Sequence, residues 1–247
     1  MFMNENTATD SRRLASKVAL ITGASRGIGL AMTRALAAQS CALIITGRDQ
    51  TALETTSREV GAQTRIRAKT CDITKPEDVS SLLQFVREEF GHVDILINNA
   101  GISHSMAPVD KLDPQVWDRV IATNLTGMFL VTRAALPLMQ AGAAIVNNLS
   151  GAAKIAFAGE AAYIASKHGA LGLTRTLREE LRAIGIRVIA LLPGPTDTEI
   201  WNQFWPEAPR AKMLSPETIA DAVIGALLLP QNASVDELVI NPVTGTL

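Results

Sequence analysis

Tyr163 and Lys167 stand four positions apart in Tyr163-Ile-Ala-Ser-Lys167, and Tyr163 is the chain's one tyrosine. On a helix, residues i and i+4 share a face, so the phenol and the ammonium become neighbours. A phenol ordinarily titrates near ~10, and a nearby cation favours phenolate and lowers that value. Such a pair can protonate a carbonyl oxygen, or deprotonate an alcohol, near neutral pH. An inert surface Tyr/Lys pair has the same spacing. Ser150, behind an apolar run, could hydrogen-bond the reacting oxygen, or could simply cap a turn. Asn124, in a helical stretch, could hold a water or a backbone group.

These residues need a frame. Lys17 to Thr22 is a short apolar run rich in β-branched residues, which breaks at Gly23-Ala-Ser-Arg-Gly27-Ile-Gly29 and resumes with helical spacing from Leu30 to Gln39. Strand, glycine turn and helix together present backbone N–H groups and a positive helix end to a phosphate. Gly23 allows a tight exit from the strand, Gly27 a close approach to a pyrophosphate, and Gly29 close packing of the helix on the sheet. The Gly-x-x-x-Gly-x-Gly spacing departs from the commonest dinucleotide fingerprint, so the turn alone is weak evidence. Further strands are expected at 42–46, 65–71, 93–97, 143–149, 186–192 and 238–240. Helices are expected at 50–60, 76–90, 114–139, 161–183 and 216–229, the third bent or frayed by Gly127 and Pro137. This alternation predicts an α/β fold: a doubly wound parallel sheet of about seven strands with helices on both faces. Ligands of such sheets bind beyond the carboxyl ends of the strands. Gly23, Arg48, Asp72, Asn98, Ser150 and Pro193 all fall there.

With 247 residues, 47% of them apolar and 19% charged, the chain can bury a sizeable core. A net charge of −1 and no long basic run argue against nucleic acid or an anionic membrane surface as main partner. No apolar stretch reaches the ~20 residues of a membrane span. Residues 1–13 are polar, show no apolar signal core, and are expected to form a flexible tail before one domain over 14–247. Cys41 and Cys71 read as reduced packing thiols, consistent with the cytoplasm. No metal site is expected.

Thr22-Gly23-Ala-Ser-Arg-Gly27-Ile-Gly29, Asn98-Asn99-Ala100-Gly101, Ser150, Tyr163-Ile-Ala-Ser-Lys167 and Pro193-Gly194 together resemble the short-chain dehydrogenases/reductases, in their compact single-domain branch. The resemblance covers about residues 14 to 200, in the right order. It implies a Rossmann-type oxidoreductase in which Tyr163 is the general acid/base. Lys167 would lower the Tyr163 pKa and bond the nicotinamide ribose, and Ser150 would orient the substrate oxygen. Asn124 would hold a water linking Lys167 to solvent, and Asn98 would brace the central strands. The cofactor would lie along Gly23, Ser25, Arg26, Gly27, Ile28 and Gly29, with Asp72 and Ile73 at its adenine. Asn99, Ala100 and Gly101 would also touch it, and Pro193, Gly194, Thr196 and Thr198 would meet its carboxamide end.

In this architecture an NAD-selecting enzyme usually carries an acidic residue at the end of strand two. Here that place reads Thr46-Gly47-Arg48. Arg48 can form charge-assisted bonds to a 2′-phosphate, and Arg26 can approach it from the glycine turn. Asp49 reads as the cap of the next helix. NADP(H) is therefore expected over NAD(H), with a small carbonyl or alcohol compound as substrate. Two other readings stay open: a catalytically idle NADPH-binding regulator or scaffold and, among enzymes, a 3-oxoacyl-thioester reductase. The C-terminus lacks the glycine-rich tail of many such reductases, and a homodimer or homotetramer is expected. Trp201, Phe204 and Trp205 lie in a substrate loop, about 195–213, with His104, Ser105 and Met106 near the opposite rim. These rings suit an apolar or ring-bearing substrate, or anchor the loop itself.

Overall fold

Strands buried on both faces must be apolar at every position rather than at alternate ones. The chain meets this with runs such as Val18-Ala-Leu-Ile and Ala144-Ile-Val, whose residues are at most 4% exposed. The computed structural model describes residues 14–245; the tail expected over 1–13 lies outside the described residues. The strands are β1 (Val18–Thr22), β2 (Ala42–Gly47), β3 (Ile66–Thr70), β4 (Ile95–Asn98), β5 (Ala144–Asn148), β6 (Arg187–Pro193) and β7 (Glu237–Ile240). They form one parallel sheet in the order β3-β2-β1-β4-β5-β6-β7. The helices are α1 (Gly27–Ala38), α2 (Gln50–Val60), α3 (Pro76–Phe90), α4 (Pro114–Ile121), α5 (Met128–Ala135), α6 (Ala161–Arg182), α7 (Trp201–Phe204) and α8 (Pro216–Leu227).

Successive side chains of a strand point to opposite faces, and each face has its own core. Ile21, Ile45, Ile97, Val146 and Ile189 pack on α1, α2 and α8 through Met32, Leu36, Leu53 and Val223. Leu20, Ile44, Leu96, Ile145 and Val188 pack on α3, α5 and α6 through Leu82, Val86, Val131 and Leu177. Truncating one of these fully buried leucines to alanine costs about 2–5 kcal/mol. Cys41 and Cys71 are buried free thiols, and burial pushes both up to about 12, where they stay protonated.

Helix ends follow local chemistry. Asp49 caps α2 by accepting from the Ala52 N–H at 3.0 Å, the role its position suggested. α3 opens on Pro76 and stops at Gly91, whose φ of 78° suits glycine.

The helix expected over 114–139 departs from regularity. After α4, residues Ala122–Gly127 form a wide π segment, and a 3₁₀ turn at Leu136–Leu138 absorbs Pro137, which has no N–H to give. The run 114–138 is the one described helix long and apolar enough to cross a membrane by length and composition. Asp118, Arg119 and Arg133 interrupt its sequence, which is why an unbroken apolar stretch was not evident. Here α4 lies along α6 and α5 packs against the sheet.

Candidate active site

Between β1 and β4 the strand order reverses, so the chain leaves their carboxyl ends toward opposite faces of the sheet and a crevice opens. It continues into a cleft of about 1330 Å³ that runs from Arg48 past the glycine turn to Tyr163 and the 195–213 loop.

The glycine turn is locked from below. The Asn99 side-chain amide donates to the carbonyls of Thr22 and Gly23 at 3.0 and 2.9 Å, and its oxygen accepts from Asn148 at 2.8 Å. The Thr22 hydroxyl accepts from the Asn99 and Ala100 N–H groups, both at 3.0 Å. A Cβ on Gly29 would fall 2.1 Å from the Gly23 carbonyl oxygen, so only glycine lets α1 start there. No side chain caps α1, and its first turn holds no acidic residue. Its open N–H groups and positive end therefore face the cleft. This is a cradle for a phosphate-bearing dinucleotide, and Ser25, Arg26, Gly27 and Ile28 line it. Arg26 reaches Glu199 at 3.5 Å, both well exposed, while Arg48 stands exposed at the end of β2. Burial tends to raise Asp72, but bonds from the Thr74 hydroxyl and amide, with Arg48 and Lys75 nearby, hold it below the usual carboxylate range.

At the other end, β5 leads to Ser150 and the first turn of α6 delivers Tyr163, with Ser150 a neighbour whose hydroxyl favours the ionised phenol. Ser150 also accepts from the Ala152 N–H at 3.1 Å, so it caps a turn as well. Lys167 Nζ lies 5.5 Å from the centre of the Tyr163 ring and donates to the Asn148 carbonyl at 3.2 Å. Burial pushes the phenol up to about 12, against the Ser150 hydroxyl and with the Glu160 charge adding to it, so the lowering expected from Lys167 does not prevail here. Burial also brings Lys167 down to about 8, where it stays mostly protonated at neutral pH. Asn124 uses both ends of its amide. Its oxygen accepts from the Ile102 N–H at 2.8 Å, and its nitrogen donates to the Ile102 carbonyl at 2.9 Å and to Ser166 at 3.0 Å. A Cβ on Gly101 would lie 3.4 Å from Asn124 Oδ1 and 3.7 Å from Lys167 Nζ, so the two polar groups flank one spot. Asn98 joins β4 to Asn147 of β5 and to Thr132 of α5.

The 195–213 loop folds back over this end. Thr196 pairs with Leu214, Arg210 ties Asp197, Thr198 and Asn202 together, and Thr198 packs against Gly27. Trp201 stacks obliquely on Phe204 and Trp205 at 5.1 and 6.4 Å, and its N–H donates to the Thr196 carbonyl. These rings both line the cleft and anchor the loop. Met106 is on the opposite rim, and Ser105 reaches across to the Gln203 carbonyl. His104 is not a rim residue: it is 2% exposed and bonds the Ser105 carbonyl. Asp72, Ile73, Asn99, Ala100, Gly101, Pro193, Gly194, Thr196 and Thr198 all line the cleft, whereas Gly29 sits beneath it. Two residues escaped the sequence reading. Asn148 receives Lys167, and Glu160, three positions before Tyr163, is 1% exposed with its carboxyl pushed up to about 7 by burial. A lone acid in the otherwise small and apolar stretch before Tyr163 was its one visible signal. Among the described residues no His, Cys, Asp or Glu cluster forms a metal set.

Comparison with known proteins agrees with this geometry. The short chain dehydrogenase family pattern matches residues 17–209. D-beta-hydroxybutyrate dehydrogenase of Cupriavidus necator is 37% identical over 184 residues, 73% of this chain and 71% of that one. An alcohol dehydrogenase from Thermococcus sibiricus, solved with 5-hydroxy-NADP, superposes with a TM-score of 0.86 at 31% identity, covering 92% of this chain and 97% of the other. The 3-ketoacyl-(acyl-carrier-protein) reductase of Brucella melitensis, solved with NADH, gives 0.84 at 30% identity, covering 93% and 98%. A doubly wound sheet, an open helix end over a glycine cradle and a serine and a tyrosine beside a buried lysine thus meet in a chain that belongs to the short-chain dehydrogenase family of oxidoreductases, which use a nicotinamide dinucleotide on alcohol or carbonyl groups.

Proposed function

We propose that this chain is an NADP(H)-dependent oxidoreductase that reduces a ketone or aldehyde to an alcohol, or runs the reverse, at a site made of Ser150, Tyr163, Lys167 and Asn124. The observation that carries this reading is the meeting of Ser150, Tyr163 and Lys167 in the same cleft as the open start of α1. A substrate oxygen seated between the two hydroxyls accepts from both, which stabilises the negative charge that develops on it. Bound nicotinamide supplies the hydride or takes it up. Tyr163 gives its proton to the oxygen; at about 12 the phenol is fully protonated at neutral pH, yet it is a stronger acid than an aliphatic alcohol. Oxidation uses the phenolate instead and gains as pH rises. Lys167 holds a ribose hydroxyl, and the polar spot it shares with Asn124 takes a water that returns the proton.

The coenzyme preference rests on β2. Gly47 brings no carboxylate, Asp49 is occupied as a cap, and Arg48 is exposed and free to meet a 2′-phosphate. Arg26 is shared with Glu199 and supplies the smaller part. Exposed Trp117 and Phe129 on α4 and α5 support a homodimer through those helices, with a homotetramer as the larger form. The Brucella neighbour keeps a 3-oxoacyl thioester as a second substrate reading.

Initial rates with NADPH and NADH, across a ketone panel and one 3-oxoacyl thioester, test all of this. NADPH-favoured reduction is expected. Equal kcat/KM for the two coenzymes overturns the preference, and no oxidation of either makes the chain an idle dinucleotide-binding module.

A further inference from the structure

Single apolar side chains scattered over a surface are ordinary, whereas several gathered at one opening mark a place where something apolar binds. Met106, Ile155, Phe157 and Val239 are four of the ten large apolar side chains that stay exposed among the described residues, and all four line the cleft that holds Tyr163. Their placement follows from the chain. Residues 154–158 join Ser150 to Tyr163, so this segment lies beside the reacting groups. It is fixed there: the Gly159 carbonyl accepts from the Ala107 N–H at 3.0 Å, and a Cβ on Gly159 would fall 3.2 Å from Met106 Cβ. On the opposite rim stand Trp201, Phe204 and Trp205, tied across by the 3.4 Å bond from Ser105 to the Gln203 carbonyl.

The charges at this end are already engaged. Besides Lys167, Lys154 is the one cation among the lining residues here, and Glu237 of β7 holds it while also pairing with Arg175. Glu160 is buried and accepts from the Ser103 hydroxyl at 3.3 Å, and Glu199 is paired with Arg26. Ser103, Gln203 and Asn241 add polarity without charge. At about 1330 Å³ the cleft exceeds the ~300–1,000 Å³ usual for one ligand, which leaves space for a sizeable substrate beside a dinucleotide.

We propose that the substrate is an uncharged ketone or secondary alcohol with an extended apolar body, a long alkyl chain or fused rings, that covers Met106, Ile155 and Phe157. The inference rests on the reading that the reacting oxygen sits between Ser150 and Tyr163. It sets a free apolar ketone above a 3-oxoacyl thioester, whose phosphate-bearing carrier would meet no free cation at this opening.

The test measures kcat/KM for 2-butanone, 2-hexanone, 2-octanone and acetoacetyl-coenzyme A, and for 7-oxooctanoate, which carries a carboxylate where 2-octanone has its last methyl. Among the ketones kcat/KM should rise about 3-fold per added methylene, the usual gain from burying one. The carboxylate and the thioester should each fall about 10-fold or more below 2-octanone, because a charge is costly against apolar walls. Phe157→Ala and Met106→Ala should each lower the 2-octanone/2-butanone ratio by about 5-fold, through lost apolar contact. A merely structural role would scale all the ketones together. Rates independent of chain length, or the thioester as best substrate, overturn the proposal. So does a Phe157→Ala variant that keeps the ratio and changes oligomeric state by sedimentation, which would give this surface to a second copy of the chain. If no ketone is reduced, the catalytic reading falls by itself, and thermal shifts of the NADP-loaded protein decide the apolar site on binding alone. A larger shift with 2-octanone than with 2-butanone, lost in Phe157→Ala, supports it, and equal shifts overturn it.

Discussion

Toward β1–β3 the cleft shows its charges to solvent: Arg48 is exposed, and the Arg26–Glu199 pair is 67% and 61% exposed at its two side chains. Toward β4, β5 and α6 the polar groups are withdrawn and bonded to one another, from Asn99 and Asn148 to Lys167, Asn124 and Ser166. Charges in water interact weakly and are screened by salt. Buried groups have their protonation set by burial, as the opposite shifts of Tyr163 and Lys167 toward their neutral forms illustrate. Recognition at the first end is therefore graded and tunable, whereas chemistry at the second is close to all-or-none.

The sharpest way to break this contrast is at the phenol. Tyr163→Phe should keep the fold and dinucleotide binding and lose at least ~10²-fold in turnover, a usual general-acid share. Steady-state rates near wild type would remove Tyr163 from the reaction.

Glu160→Gln probes the cost of the buried end through stability. The folded state holds the Glu160 carboxyl at about 7 against an ordinary 4.5, so it binds a proton more tightly than the unfolded chain. Its contribution is fully present below pH 4.5 and is lost as pH rises through 7. The glutamine variant, neutral throughout, should match the wild type near pH 4.5 and exceed it by about 3 kcal/mol at pH 8. Denaturant melts at the two pH values check this, and a constant difference would contradict it.

At the exposed end, Arg48→Ala should weaken NADPH by about 1–2 kcal/mol with little change for NADH. Added salt should narrow the gap between coenzymes in the wild type and leave it flat in the variant. A salt-independent preference would mean that shape, not charge, selects the coenzyme. Smallest of all, replacing Trp201 and Trp205 by alanine should raise KM for apolar ketones a few-fold while coenzyme affinity holds. A collapse of NADPH binding instead would place these rings over the coenzyme.

Legibility in the sequence followed the same division. Gly29 and Gly23 announce themselves because what matters is the absence of a Cβ, a property of the residue type alone. Asp49 was readable as a cap because capping is local. The Tyr163/Lys167 spacing gave the shared helix face but not the protonation, which depends on burial by residues far away in the chain. His104 was set at the rim by its position after β4, yet tertiary packing turned it inward. Glu160 could not be ranked above other surface acids until Ser103 was seen beside it, 57 positions earlier.

The π segment at Ala122–Gly127 has a consequence for which length changes the chain tolerates. A π turn closes i to i+5 where an α turn closes i to i+4, so it holds one residue more than its neighbours. Removing a single residue between 122 and 127 would let α4 and α5 merge into a regular helix. Because the wide turn spends its extra residue within about one revolution, α4 and α5 on either side would keep their phase. The residues inside the segment would not, and Asn124 would leave Ile102 and Ser166. Elsewhere on the surface a lost residue is absorbed by a loop; here the loss would fall on the side chains that the wide turn presents. Such a deletion should abolish turnover while leaving much of the helix content intact by circular dichroism, and retained activity would show that this extra residue is dispensable.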